Sequence, residues 1–204
     1  MEDLSGLEKL LPNMLLNIVF GGIDKGFDRK TAIYRKIIVR LIDKALDEYN
    51  EARALIINQI LEIKRSSEEK TTRGRVIYMF RFVDHMENLI STLRRILRLF
   101  DKLKGNMQGL AFPRTIRKQI ESLSNPLIGL RNTIEHIDDA IQKDEIKADD
   151  PVMVKITADQ GGVEVGSNNI RFYDISTLLK KLHALGQELV VWSIDNDIAE
   201  QNRT

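Results

Sequence analysis

The feature that most constrains this chain is an apolar pattern that runs unbroken from Asp28 to Lys64. Ile33, Ile37, Leu41, Ala45, Tyr49, Ala52, Ile56, Ile60 and Ile63 recur at steps of three and four, with no glycine or proline between them. That spacing predicts one helix, about 54 Å long at a rise of 1.5 Å per residue. A helix of this length needs a partner along its apolar stripe. From about Thr72 to Lys104 the residues Met79, Phe82, Met86, Leu89, Leu93, Ile96, Phe100 and Leu103 keep the same spacing. They predict a second helix that matches the first in length. The polar connection SSEEKTTRG is short, so the two should pack as an antiparallel hairpin.

Pro113 stands where a third helix should begin, in the first turn that proline favours. Ile116, Ile120, Leu123, Leu127, Leu130, Ile134, Ile137 and Ile141 form its stripe. Pro126 lies inside that stripe and removes a backbone donor, so a kink or a short break is expected there. The pattern then changes to alternation. Val152, Val154 and Ile156, then Val163 and Val165, then Ile170 and Phe172 are separated by the turn-forming strings Asp159–Gly162 and Gly166–Asn169. Two or three short strands are expected, in a hairpin or small meander. A last helix, capped by Asp174 or Ser176, carries Leu178, Leu182, Leu185, Leu189 and Trp192. The polar tail from Asp195 to Thr204 should fray.

The expected fold is all-α: a bundle of four main helices with a small β-hairpin or meander, about residues 151–173, inserted before the last helix. Residues 1–27 form an N-terminal helical cap on a bundle of residues 28–204. The glycine-rich stretch Gly21 to Gly26 ends that cap, and it lacks the Lys-Ser/Thr ending of a phosphate loop.

Composition narrows the chemistry. The 204 residues include no cysteine, which excludes disulfide scaffolds, cysteine nucleophiles and thiolate metal sites. Three histidines leave little for a histidine metal centre, and neither a metal nor a cofactor is expected. His85 and His183 read as surface or interface residues. No secretory signal or membrane-spanning run is visible, so a cytoplasmic protein is expected. The net charge of +1 gives no global case for nucleic acid. Locally the balance differs. Arg94, Arg95, Arg98, Lys102, Lys104, Arg114, Arg117 and Lys118 face only Asp101 between residues 94 and 118. Arg94, Arg98 and Lys102 share one helix face, and such a stripe can track a phosphate backbone. Arg114, Arg117 and Lys118 are candidate RNA contacts beside them. The alternative is a solvated basic face paired with acidic neighbours.

The most informative string is LRNTIEHIDD, Leu130 to Asp139. Arg131, Asn132 and His136 lie off the apolar stripe, with Arg131 and His136 about 140° apart on a straight helix. Two copies facing each other across a symmetry axis can bring such residues together. The motif Arg131-Asn132-Thr133-Ile134-Glu135-His136, on a late helix of an all-α bundle, resembles the HEPN superfamily, whose signature is an arginine and a histidine with four to six residues between them. The six-residue motif and the helical pattern over about residues 28–196 carry the resemblance; the strand insertion is not part of the minimal fold.

The resemblance implies a homodimer with the two motifs at its interface. It also implies a metal-independent endoribonuclease of the kind found in toxin–antitoxin and defence systems, with RNA as substrate and an antitoxin or other protein as partner. Arg131, Asn132 and His136 are then the catalytic candidates. An imidazole exchanges protons near neutral pH, and a guanidinium holds phosphate through two parallel hydrogen bonds. The different-class alternative is a non-catalytic dimeric helical module that binds a protein or nucleic acid. On that reading Arg131–Glu135 and His136–Asp139 are ordinary pairings on a helix surface.

Overall fold

A computed structural model describes residues 1–21, 27–103, 114–145 and 152–192. Six helices and one small sheet account for their regular structure. The stretch Gly22–Gly26, Lys104, Pro113 and the tail after Trp192 lie outside the described residues.

The long apolar pattern forms α2, Arg29–Lys64, 36 residues in one helix. Asp28 caps it, its carboxylate accepting from the backbone N–H of Lys30 and Thr31. Its partner is α4, Met79–Leu103, of 25 residues. The pair is antiparallel: Glu48 meets His85, Gln59 meets the Tyr78 N–H, and Glu62 meets the Val76 N–H. Phe82, Met86, Leu89, Leu93, Ile96, Phe100 and Leu103 of the expected stripe are all buried. Each such side chain contributes about 1.5–3 kcal/mol of burial.

The expected match in length fails, and the reason is local. Ser66 and Glu69 form a reciprocal capping box that starts a separate short helix, α3, Ser67–Arg73. Gly74, at φ 74°, ends it in a conformation that side chains disfavour. The second long helix therefore starts at Met79 and not near Thr72. Its shortness leaves the last turns of α2 without full cover, so Ile60 and Ile63 of the expected stripe are 46% and 66% exposed.

Before α2, the helix α1, Leu10–Gly21, packs against both α2 and the last helix. The carboxylate of Asp43, on α2, accepts from the backbone N–H of Leu10 and Leu11, so one helix caps another. After α4, the helix α5, Arg114–Gln142, continues through Pro126 without a break. Leu127 and Leu130 are fully buried on the far side of the proline, and that packing holds the register against the lost hydrogen bond.

The sheet is an antiparallel meander of β1, Lys155–Ile156, β2, Gly162–Val165, and β3, Asn168–Arg171. Val163 opposite Ile170, and Val165 opposite Asn168, set its register. The second turn is tighter than the sequence suggests. Gly166 takes φ 55°, and Asn168 and Asn169 belong to β3, not to the turn. Gly162 lets β2 lie close to β3, because a Cβ there would overlap the Ile170 carbonyl. β3 runs directly into α6, Phe172–Val191. Neither Asp174 nor Ser176 caps it. The N-cap is Arg171, and the Phe172 N–H bonds to the Gly161 carbonyl, so the sheet supplies what a cap residue would. Leu178, Leu182, Leu185, Leu189 and Trp192 are buried as expected.

Candidate nucleic-acid interface

α4 buries one face and turns Ser91, Arg94, Arg95, Arg98 and Lys102 away from it. Successive basic residues at four-residue steps rise about 6 Å along the helix. These side chains, with Leu99 and with Arg131 from α5, line a cleft of ≈ 370 Å³ between the two helices. Among the described residues, five of the seven that line it are cationic and none is acidic, so a cation-rich recess results. Among the described residues, no ion pair engages Arg94, Arg95, Arg98 or Lys102.

The cleft joins two features that the sequence presents separately, the basic stripe of α4 and the arginine of the α5 motif. The buried neighbour Leu130 anchors this part of α5, and the Arg131 side chain, 26% exposed, reaches the cleft while also pairing with Glu135. Arg95 lines the cleft too, as its i+3 and i+7 spacing to Arg98 and Lys102 places it beside them on the helix. Arg117 and Lys118 do not line it, and the Arg114 side chain lies outside the described residues.

His136 stands apart. Its side chain is 69% exposed, and its Nδ1 lies 3.6 Å from the Asp139 carboxylate, beyond hydrogen-bond distance. It does not line the cleft, and Asn132 is exposed beside it. Within one chain Arg131 and His136 do not converge on a common point. Glu135, Asp138 and Asp139 are exposed on the same helix, so the motif surface turns acidic just beyond the cleft.

Sequence reasoning missed what sets the rotation of α5. Asn168 of β3 donates its side-chain amide to Thr133 Oγ1 at 2.9 Å, and Thr133 in turn donates to the Gly129 carbonyl at 3.1 Å. Gly129 leaves the space that the Asn168 amide occupies. The meander thus holds the inner side of the motif helix, between Arg131 and His136, and leaves both facing outward. An asparagine beside a glycine turn reads as turn chemistry, and nothing in the string marks its partner.

The other histidines are structural. His85 Nδ1 meets the Glu48 carboxylate at 2.7 Å across the α2–α4 seam. His183 is not a surface residue: it is buried and its Nε2 donates to the Glu8 carbonyl at 2.8 Å. A larger groove of ≈ 520 Å³ lies at the far end of the α2–α4 hairpin, lined by Ile56, Ile60, Ile63, Met79 and Phe172 among others, with no charged side chain among the described residues. Among the described residues, no group of three or more His, Asp or Glu side chains is placed to hold a metal ion. No helix among them is long and apolar enough to cross a membrane. Compared with protein-family models, curated proteins and solved structures, the chain matches none.

Proposed function

We propose that the protein binds RNA in the α4–α5 cleft and, as a HEPN-like homodimer in the cytoplasm, cleaves it without a metal ion. One observation carries the binding half: Arg131 of the motif shares a recess with four unpaired cations of α4. Cations so placed attract a phosphate backbone. The cleavage half rests on the resemblance of Arg131 to His136 to the family motif. His136 takes the proton from a ribose 2′-OH, the O2′–P bond forms, the P–O5′ bond breaks, and the departing 5′ oxygen takes up a proton. Arg131 holds the phosphate through paired hydrogen bonds once RNA displaces Glu135.

The test uses purified protein with mixed RNA in EDTA. His136→Ala should lose about 100- to 10,000-fold in rate, as removal of a proton-transfer group does. It should still fold, because His136 lies off the apolar stripe. Arg131→Lys should also impair cleavage, since lysine keeps the charge but loses the two-pronged geometry. Any growth arrest caused by the protein as a toxin or defence factor should vanish with His136→Ala. Equal cleavage by wild type and His136→Ala removes His136 from the mechanism.

A second reading has its own observation. Glu135 holds Arg131, and the Asp139 carboxylate lies 3.6 Å from the His136 ring. That surface repels the phosphate it would have to act on. Intact RNA after incubation with a folded wild-type dimer favours a non-catalytic module that uses the cleft for binding alone.

A further inference from the structure

We infer that the α4–α5 cleft is a backbone-only track for one nucleic-acid strand, blind to base identity and to the sugar, so that any choice of RNA over DNA is made by the chemistry and not by binding. The inference rests on the nucleic-acid reading of the cleft and specifies what the cleft recognises. Three observations carry it.

The first is spacing. Arg94, Arg98 and Lys102 succeed one another at about 6 Å along α4, close to the distance between consecutive phosphates on a single strand. The cleft therefore matches a run of three phosphates, with Arg95 and Arg131 closing on them from the sides. The second is what is missing from the wall. Sequence-tolerant single-strand binders stack bases on aromatic rings, and readers of sequence present amide or carboxylate groups to base edges. Among the described residues the lining has neither; Ser91 and Leu99 are its only uncharged members there. Arginine and lysine aimed at phosphates fix position without reading sequence. The third is the boundary. Glu135, Asp138 and Asp139 are exposed on α5 past Arg131, and their charge ends the track after a few phosphates. A duplex is far wider than a recess of ≈ 370 Å³, whereas a single strand can thread between the helices.

The consequence is specific. Single-stranded DNA fills the cleft as well as RNA does, and because it lacks the 2′-OH it is bound but not cut. The probes are labelled oligothymidine and oligoadenosine DNA strands of two, three, four, six and twelve nucleotides, the six-nucleotide oligoadenosine as RNA on the His136→Ala protein, a twelve-base-pair duplex, and inorganic tripolyphosphate; a tenfold difference between the RNA and DNA strands overturns the inference. Binding to the wild-type protein is read by fluorescence anisotropy over a salt series. Affinity should rise steeply up to four nucleotides, the shortest strand with three phosphodiesters, and then level off. The thymidine and adenosine strands should agree within about threefold, since stacking and base-edge contacts contribute nothing. With three phosphates neutralised, log affinity should fall with log salt at a slope of about −2, and Arg98→Gln with Lys102→Gln should reduce that slope by about 1.4.

A tenfold base preference overturns the inference, as does equal affinity for duplex. Displacement by tripolyphosphate at the same concentration as by the six-nucleotide strand overturns it too, because the cleft is then a small-anion site. An unchanged salt slope in the double variant removes the cleft from binding altogether. The outcomes separate from those of the cleavage assay. Binding as described with no cleavage leaves the track standing and removes the nuclease; metal-independent, His136-dependent cleavage with base-selective binding does the reverse.

Discussion

Arg35 has no solvent exposure, yet it carries a full charge. Its guanidinium donates to the Leu189 and Val190 carbonyls at the end of α6, and its Cζ lies 5.3 Å from the Phe27 ring centroid. Phe27 in turn meets Trp192 edge to face, with centroids 4.5 Å apart. The last carbonyls of a helix lack donors within the helix and sit at its negative end, so a buried cation satisfies both needs. Arg35→Met should cost about 2–4 kcal/mol in urea unfolding, because those carbonyls lose charged donors while the methylene packing is roughly kept. Arg35→Lys should recover only part of it, since one ammonium cannot reproduce the fork. A loss below about 1 kcal/mol for Arg35→Met would show that the carbonyls find other donors. The residue next to Ile33, Ile37 and Ile38 looks in the string like any solvated arginine between apolar positions. Its burial depends on where a helix some 150 residues later comes to rest, and no local pattern encodes that.

At the scale of elements, periodicity decided what was legible. Both long helices and the final one follow directly from 3–4 spacing, because burying an unbroken stripe outweighs any local preference against it. Pro126 shows how far this goes. A proline inside a helix costs about 3 kcal/mol, yet α5 continues through it. Pro126→Ala should therefore raise stability by about 1–3 kcal/mol in chemical denaturation. A decrease would mean that the packing of α5 on the meander needs a bend at this position. Boundaries were legible only where the caps act alone. Ser66 and Glu69 spell a capping box in the string, but the stripe of α4 hid it, and the α6 cap failed because backbone from the sheet replaced it.

Near the end of α2 lies a further element-scale contact. Two hydrogen bonds from Arg65 hold the Glu62 carboxyl below the usual carboxylate range, against the opposing effect of burial, and the Val76 N–H adds a third. A lowered native value means the stabilisation is complete above the unfolded value of about 4.3 and is lost as pH falls through the native one. The stability difference between wild type and Glu62→Gln should thus be constant above about pH 5 and shrink below about pH 4. A difference independent of pH would remove Glu62 from the acid response.

At the scale of the whole molecule, the proposed cleavage requires assembly. Arg131 and His136 do not converge within one chain, and on the proposed reading a second copy brings them together. Light scattering at micromolar concentration should give a dimer. The absence of cysteine makes the geometry directly testable. Asp139 is exposed and lies between Arg131 and His136 in angle around α5, so Asp139→Cys should form a disulfide-linked dimer under mild oxidation if the motifs meet. A dimer that never cross-links joins through some other face, such as the apolar residues Ile63, Ile77 and Phe80 at the hairpin tip, and the shared site falls. The motif was legible in the sequence, and so was half of the cleft. The rest was not, because the cleft is made by two helices crossing, and the string records neither the crossing nor the grip of Asn168 on Thr133.

The N-terminal segment is tied to the last helix: Glu2 pairs with Lys180, the Glu8 carbonyl accepts from His183, and α1 packs on α6. The order of synthesis gives that closure a cost in time. The α2–α4 hairpin has all its contacts within reach early. The α6-facing side of α1 and the Arg35 guanidinium must wait for their cover until α6 has been made, on the order of 5–20 s after α4 at typical translation rates. During that interval the chain is a finished hairpin with an unfinished flank, the stage at which a chaperone would find the apolar side of α1 uncovered.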